Sequence, residues 1–250
     1  MKPFALVLLL LFAPVALPAA PLDEADLPKI VQHLDQLFRS SSSQAEVEMT
    51  IQTPNWERTL TMTLWSEGMN KTFIRIHSPK KDQGVATLRI GQEMWNYFPK
   101  VDKVMKVPPS MMMGSWMGSD FTNDDLVRES SYLDDYEVRY SAAQPADPNL
   151  LAIDLIPKET TASVWGRIKI LLAKSGWMPQ SETFYDEKGN PQRRMTLANL
   201  TRFGQRLVPA VMEILPLTKA GHKTTIRYHS AQFDVSLPSE TFTLKNLQRR

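Results

Sequence analysis

The stretch VEMTIQTPNWERTLTMTL, Val47 to Leu64, alternates apolar and polar side chains on both sides of Thr53-Pro54-Asn55. Val47, Met49 and Ile51 alternate with Glu48, Thr50 and Gln52, and Leu60, Met62 and Leu64 alternate with Thr59, Thr61 and Thr63. A period of two places every apolar side chain of a strand on one side, so the stretch predicts an antiparallel hairpin with one apolar face. The pattern recurs over 72–77, 85–90, 94–99, 103–107, 136–140, 150–156, 164–172, 178–185, 193–203, 207–215 and 224–230. Turn signals such as Lys174-Ser175-Gly176 and Lys219-Ala220-Gly221-His222 separate the later runs. The chain therefore predicts a meander of roughly a dozen strands. Gln144 to Asn149 is expected to be a surface loop, because strand patterning resumes at once after it.

Upstream of the hairpin, Asp23 to Arg39 carries Leu27, Ile30, Val31, Leu34, Leu37 and Phe38 at helical spacing, with acids in the first turn. This predicts one amphipathic helix. A dozen strands about 4.8 Å apart form a sheet on the order of 55 Å wide. A helix covers a strip about 10 Å across. One helix and a short one after Thr122 cannot cover such a face. The sheet must fold onto itself as a sandwich, close into a membrane barrel, or curl around a space. Alternation alone does not separate these, because a membrane barrel also alternates. The long helix, the lack of aromatic girdles at strand ends and the Gln248-Arg249-Arg250 ending argue against the membrane barrel.

Residues 1–20 read as an export signal, with Lys2 as the charged start and Phe4 to Ala13 as the apolar core. That run of about ten residues is shorter than the roughly 20 a spanning helix needs. Ala16, Ala19 and Ala20 supply small residues for cleavage near 19–20, which leaves residues 21–250 as one expected domain. There is no cysteine, hence no disulfide and no thiol for lipid attachment. A periplasmic location is expected. The 29 basic and 27 acidic residues balance too closely for a nucleic-acid footprint.

Five of the thirteen methionines fall between Met105 and Met117. Pro108-Pro109 ends the preceding strand, Gly114 and Gly118 oppose a helix, and Thr122-x-x-Asp125 before Leu126 resembles a capping box. The intervening loop has two readings. It is a lid whose adaptable methionines meet an apolar ligand, or it tucks Met111, Met112, Met113, Trp116 and Met117 into its own core as filler. Asp120, Asp124 and Asp125 have no calcium-loop spacing.

The segments Gly91–Pro99 (GQEMWNYFP), Lys103–Met113 (KVMKVPPSMMM), Gly114–Leu126 (GSWMGSDFTNDDL) and Phe233–Leu247 (FDVSLPSETFTLKNL) resemble the LolA-like outer-membrane lipoprotein-sorting proteins. The resemblance is in particular to the branch of periplasmic carriers associated with RND-type, MMPL-like exporters. The resemblance implies a mainly β fold, an incomplete antiparallel barrel with a helix and a short lid over a hydrophobic cavity. It also implies a carrier of lipoprotein or lipid acyl chains, working between an inner-membrane exporter and an outer-membrane acceptor. The alternative is an accessory module of the exporter that carries nothing. On the carrier reading, Met49, Ile51, Leu60, Met62, Leu64, Ile74, Ile76, Leu88 and Ile90 line the cavity. Met111, Met112, Met113, Trp116 and Met117 then close it. The resemblance to better-known LolA carriers implies a strand arginine that holds the lid, but that role is assigned to no arginine here, Arg58 and Arg75 included, and the gating mechanism is not carried over.

Catalytic signals are weak, and no cofactor, metal or enzymatic activity is expected. His33, His77, His222 and His229 lack metal-ligand spacing. Ser78-Pro79-Lys80-Lys81 matches S-x-x-K without its companion motifs. In Gly114-Ser115-Trp116-Met117-Gly118 the serine is misplaced for a nucleophile elbow.

Overall fold

The computed structural model describes residues 27–37, 40–127, 131–161 and 163–249. The export signal, residues 23–26 of the predicted helix and Phe38 lie outside them. Helix α1 (Leu27–Leu37) precedes six strands: β1 (Ser42–Gln52), β2 (Glu57–Glu67), β3 (Lys71–Ser78), β4 (Ala86–Ile90), β5 (Glu93–Phe98) and β6 (Lys103–Lys106). A long connection carries α2 (Asn123–Val127) and α3 (Tyr132–Asp135). Seven strands follow: β7 (Tyr136–Tyr140), β8 (Leu150–Pro157), β9 (Arg167–Ala173), β10 (Met178–Tyr185), β11 (Pro191–Phe203), β12 (Arg206–Pro216) and β13 (Lys223–Phe233). A last turn of helix, α4, spans Leu244–Leu247.

All thirteen strands form one antiparallel sheet in the order β6-β5-β4-β3-β2-β1-β13-β12-β11-β10-β9-β8-β7. Two meanders, β1 to β6 and β7 to β13, join where β1 pairs with β13. The sheet is not closed, and β6 and β7 are its edges. The opening hairpin pairs as its pattern requires, with Met49 opposite Leu60 and Val47 opposite Met62.

The long connection shows that the sheet curls. Between Trp116 and Asp125 it contacts Thr87 on β4, Arg58 on β2, Thr224 on β13 and Arg193 on β11. β4 and β11 are six strand spacings apart, about 29 Å if the sheet were flat. Ten residues reach that distance only when almost fully extended. These ten include a tight turn and the start of α2, so the strands must bend toward one another around the segment.

The inner face has two apolar halves. On β1 to β5, Val47, Met49, Ile51, Leu60, Met62, Ile74, Ile76 and Met94 are buried with Trp116 of the connection. On β8 and β9, Leu151, Ile153, Leu155, Ile168, Ile170 and Leu172 are buried against Leu27, Ile30, Val31 and Leu34 of α1. A third cluster lies on the outer face, where Phe73, Leu88 and Tyr97 pack under Phe242 and Leu247 of the C-terminal segment. Arg75 fastens that segment by donating to the carbonyls of Asn246, at 2.7 Å, and Arg249.

This outer cluster corrects one expectation. Leu88 pairs with Phe73 and Ile90 with Lys71, so both face away from Ile74 and Ile76, and Ile90 is exposed. The inward row of β4 is instead Thr87 and Arg89. A strand covered on both sides hides its orientation, since both of its rows are buried.

Candidate functional site

The methionine-rich connection is anchored to the inner face of the sheet at four points. The indole Nε1–H of Trp116, buried at 4% exposure, donates to Thr87 Oγ1 at 3.1 Å, and Thr87 in turn donates to Asn96 Oδ1 at 2.7 Å. Arg58 donates to the carbonyl of Met117 and pairs with Asp82 at 3.5 Å. The Asp120 amide donates to Thr224 Oγ1 at 2.9 Å, and the Thr224 hydroxyl donates to the Asp120 carboxylate at 2.8 Å. Arg193 grips Asp125 through two bonds of 2.7 Å. Asp125 and Thr122 also form the predicted capping box, each accepting from the other's backbone N–H.

Met117 and Gly118 both have positive φ, 52° and 77°. A Cβ on Gly118 would lie 3.4 Å from the Arg58 guanidinium. The backbone conformation calls for glycine there.

These anchors divide the methionines. Met112, Met117 and Trp116 pack into the first inner cluster, above Met49, Ile51, Leu60, Met62, Ile74 and Ile76. Met111 and Met113 point to solvent at 57% and 50% exposure. Met112, Trp116 and Met117 thus behave as filler of the curl, whereas Met111 and Met113, expected to close a cavity, face solvent instead. Leu64, half-buried, lies where the filling ends.

Unfilled space occurs where the connection does not reach. A cavity of about 200 Å³ is lined by Ala45, Leu64, Val208, Tyr228, Ala231 and Phe233, with Ser43 and Ser66 at its rim. Ala45 and Ala231 are direct register partners, and two methyl side chains side by side leave the volume. A wider cleft of about 490 Å³ beside the C-terminal end of α1 shares Val208. A third, about 200 Å³, lies between α2, α3, β10 and β11, lined by Phe121, Tyr132, Trp165, Glu182, Arg193 and Ile214 among others.

Of the polar groups of that third space, Asp125 was expected as a cap, whereas Glu182 and Tyr132 were not singled out from the sequence. Burial pushes the Glu182 carboxyl up to about 7, against the lowering effects of a hydrogen bond from Tyr132 and the charge of Arg193. Burial and the neighbouring Glu182 drive the Tyr132 hydroxyl well above its ordinary value. Burial alone would raise Asp125, but Arg193 and Thr122 hold it below the usual carboxylate range. Asp35 of α1 sets Tyr132 in place by accepting from Ser131 Oγ at 2.8 Å and the Tyr132 amide at 2.9 Å. Ser78 exchanges a 2.7 Å hydrogen bond with Thr61. No helix among the described residues is long and apolar enough to cross a membrane.

Comparison with solved structures finds the same architecture. A domain described as an outer membrane lipoprotein-sorting protein, from Vibrio parahaemolyticus, aligns with a TM-score of 0.75 at 21% identity, covering 88% of this chain and 97% of that one. A DUF1329 family protein from Desulfovibrio piger gives 0.77 at 19% identity, covering 88% and 96%. A LolA superfamily protein from Nitrosomonas europaea gives 0.71 at 18%, covering 88% and 98%. No curated protein matches the sequence. A family model whose description reads "-like: Uncharacterized protein" matches residues 68–249. The chain belongs to that family, and its open, lidded sheet is the LolA fold.

Proposed function

We propose that the protein is a periplasmic carrier that shields the acyl chains of a lipoprotein or lipid on the inner face of its sheet and passes them toward the outer membrane without catalysis. The observation that carries the reading is the unfilled apolar space beside Ala45, Leu64, Val208 and Tyr228, continuous in its lining with a face too broad for the helices to cover. Sequestering acyl carbons there gains about 0.8 kcal/mol per CH₂. A long chain is then held strongly, and its release requires a competing acceptor or movement of the connection that Arg58 and Arg193 pin.

Mass spectrometry of protein purified without detergent is expected to find co-purified lipid, and the emptied protein is expected to take up a fluorescent fatty acid. Failure of both rejects the carrier reading. The accessory-module reading draws on one observation, the exposure of Met111 and Met113 on the outside of the connection. If that surface alone is the function, Met111→Asp with Met113→Asp abolishes exporter binding in a protein that takes up no lipid.

A further inference from the structure

Glu182 is a buried acid for which shielding of acyl chains gives no reason. It is 7% exposed, lines the space between α2, α3, β10 and β11, and accepts one hydrogen bond, from the Tyr132 hydroxyl at 3.2 Å. A buried carboxyl ordinarily has partners for both oxygens. Here the second oxygen has none among the described residues, and the walls around it are Phe184, Trp165, Met195 and Tyr136.

The neighbouring cation is already engaged. Arg193 gives its two terminal nitrogens to Asp125 and lies over the rings of Phe184 and Trp165 at 4.3 and 4.8 Å. Its Nε–H remains buried without a partner. The groups facing Glu182 are thus Tyr132 from α3, Tyr136 from β7, Arg193 from β11 and Asp125 from α2. Asp35 of α1 acts through Tyr132. Arg193 and Asp125 cancel, so among the described residues the space carries the charge of Glu182 alone: zero when protonated and negative when ionised.

An incoming carboxylate or phosphate finds no unneutralised cation among the described residues there and is repelled once Glu182 ionises. An amide meets the opposite situation, because its N–H faces an acceptor. We propose that this space is the head-group subsite of the carrier and that it selects an acylated amide, excluding a free carboxylate or phosphate. The inference rests on the carrier reading. Ile214 at this space and Val208 at the alanine-lined cavity belong to the same inward row of β12, six residues or about 20 Å apart. A chain anchored at Glu182 therefore runs along Met212 and Ala210 into the cavity beside Val208.

The test compares a fatty acid with its primary amide, both carrying the same fluorophore at the far end of the chain, bound to the full protein at pH 6 and pH 8. The amide is expected to bind at least about tenfold tighter at pH 8, the effect of one decisive charge-assisted hydrogen bond. The preference narrows at pH 6, because burial holds Glu182 protonated up to about 7. Glu182→Leu brings the ratio to one at both pH values. Glu182→Gln, which keeps a carbonyl acceptor, retains amide binding and loses the pH dependence. Equal affinity for acid and amide in the wild type, or an unchanged ratio in a folded Glu182→Leu, overturns the subsite while leaving the carrier standing. No uptake of either probe overturns both.

Discussion

Glu182 binds its proton more tightly in the folded chain than in the unfolded one, where its value is that of an ordinary glutamate, 4.5. Between about 4.5 and 7 the native state therefore keeps a proton that the unfolded state has lost, and raising the pH favours unfolding. The penalty is absent below that window and complete above it, on the order of 3 kcal/mol. Urea titrations from pH 5 to pH 8 should show this loss, and Glu182→Gln should flatten it. Asp125 works in the other direction: its lowered value stabilises the fold above the ordinary aspartate range and is lost as acid titrates it. Arg193→Met leaves that carboxylate buried and unpaired, and should destabilise by roughly 3–5 kcal/mol. Adding Asp125→Leu should restore most of the loss, since a pair of well-packed apolar residues replaces a buried ion pair at little expense. A double-mutant cycle by denaturant unfolding checks this.

Among the elements, the connection and the C-terminal segment clamp the two faces of the first meander. Phe242→Ala should destabilise by roughly 3–5 kcal/mol, the range for a buried aromatic, yet leave lipid uptake unchanged, because Phe242 lies on the outer side with Leu88 and Tyr97. Arg58→Ala frees the Met117 carbonyl and should speed both uptake and release of a fluorescent fatty acid in stopped-flow mixing. The strands themselves were legible in the sequence, since a period of two recurs wherever one face is wet, as in Val47 to Leu64. Orientation failed at β4, where Leu88 and Ile90 are as apolar as Ile74 but turn the other way. Most of the cavity's lining was missed, Leu64 apart, for a different reason: the space arises from small side chains, Ala45 opposite Ala231, brought together by the pairing of the first and last strands. No local pattern announces a contact made across 186 residues of chain. Glu182 was equally hidden, because an acid within a strand reads as a solvated position until Tyr132 and Trp165 close over it.

For the whole molecule, occupancy and stability are linked. A ligand that binds only the folded chain raises stability by about 2.7 kcal/mol when present at 100 times its Kd, so the melting temperature of emptied protein should climb with added lipid. Ala231→Trp, which puts a large ring into the cavity of about 200 Å³, should abolish that climb while the empty protein melts near the wild-type temperature. The unjoined strands β6 and β7 bear on how the molecule accommodates a bulky guest. In a seamless barrel the girth is set by strand number, and swelling means tearing a ladder of backbone hydrogen bonds. Here the connection from β6 to β7 spans the two borders and is tethered largely through side-chain contacts, so the sheet can flex wider or narrower like an open cuff with every rung of its ladder intact.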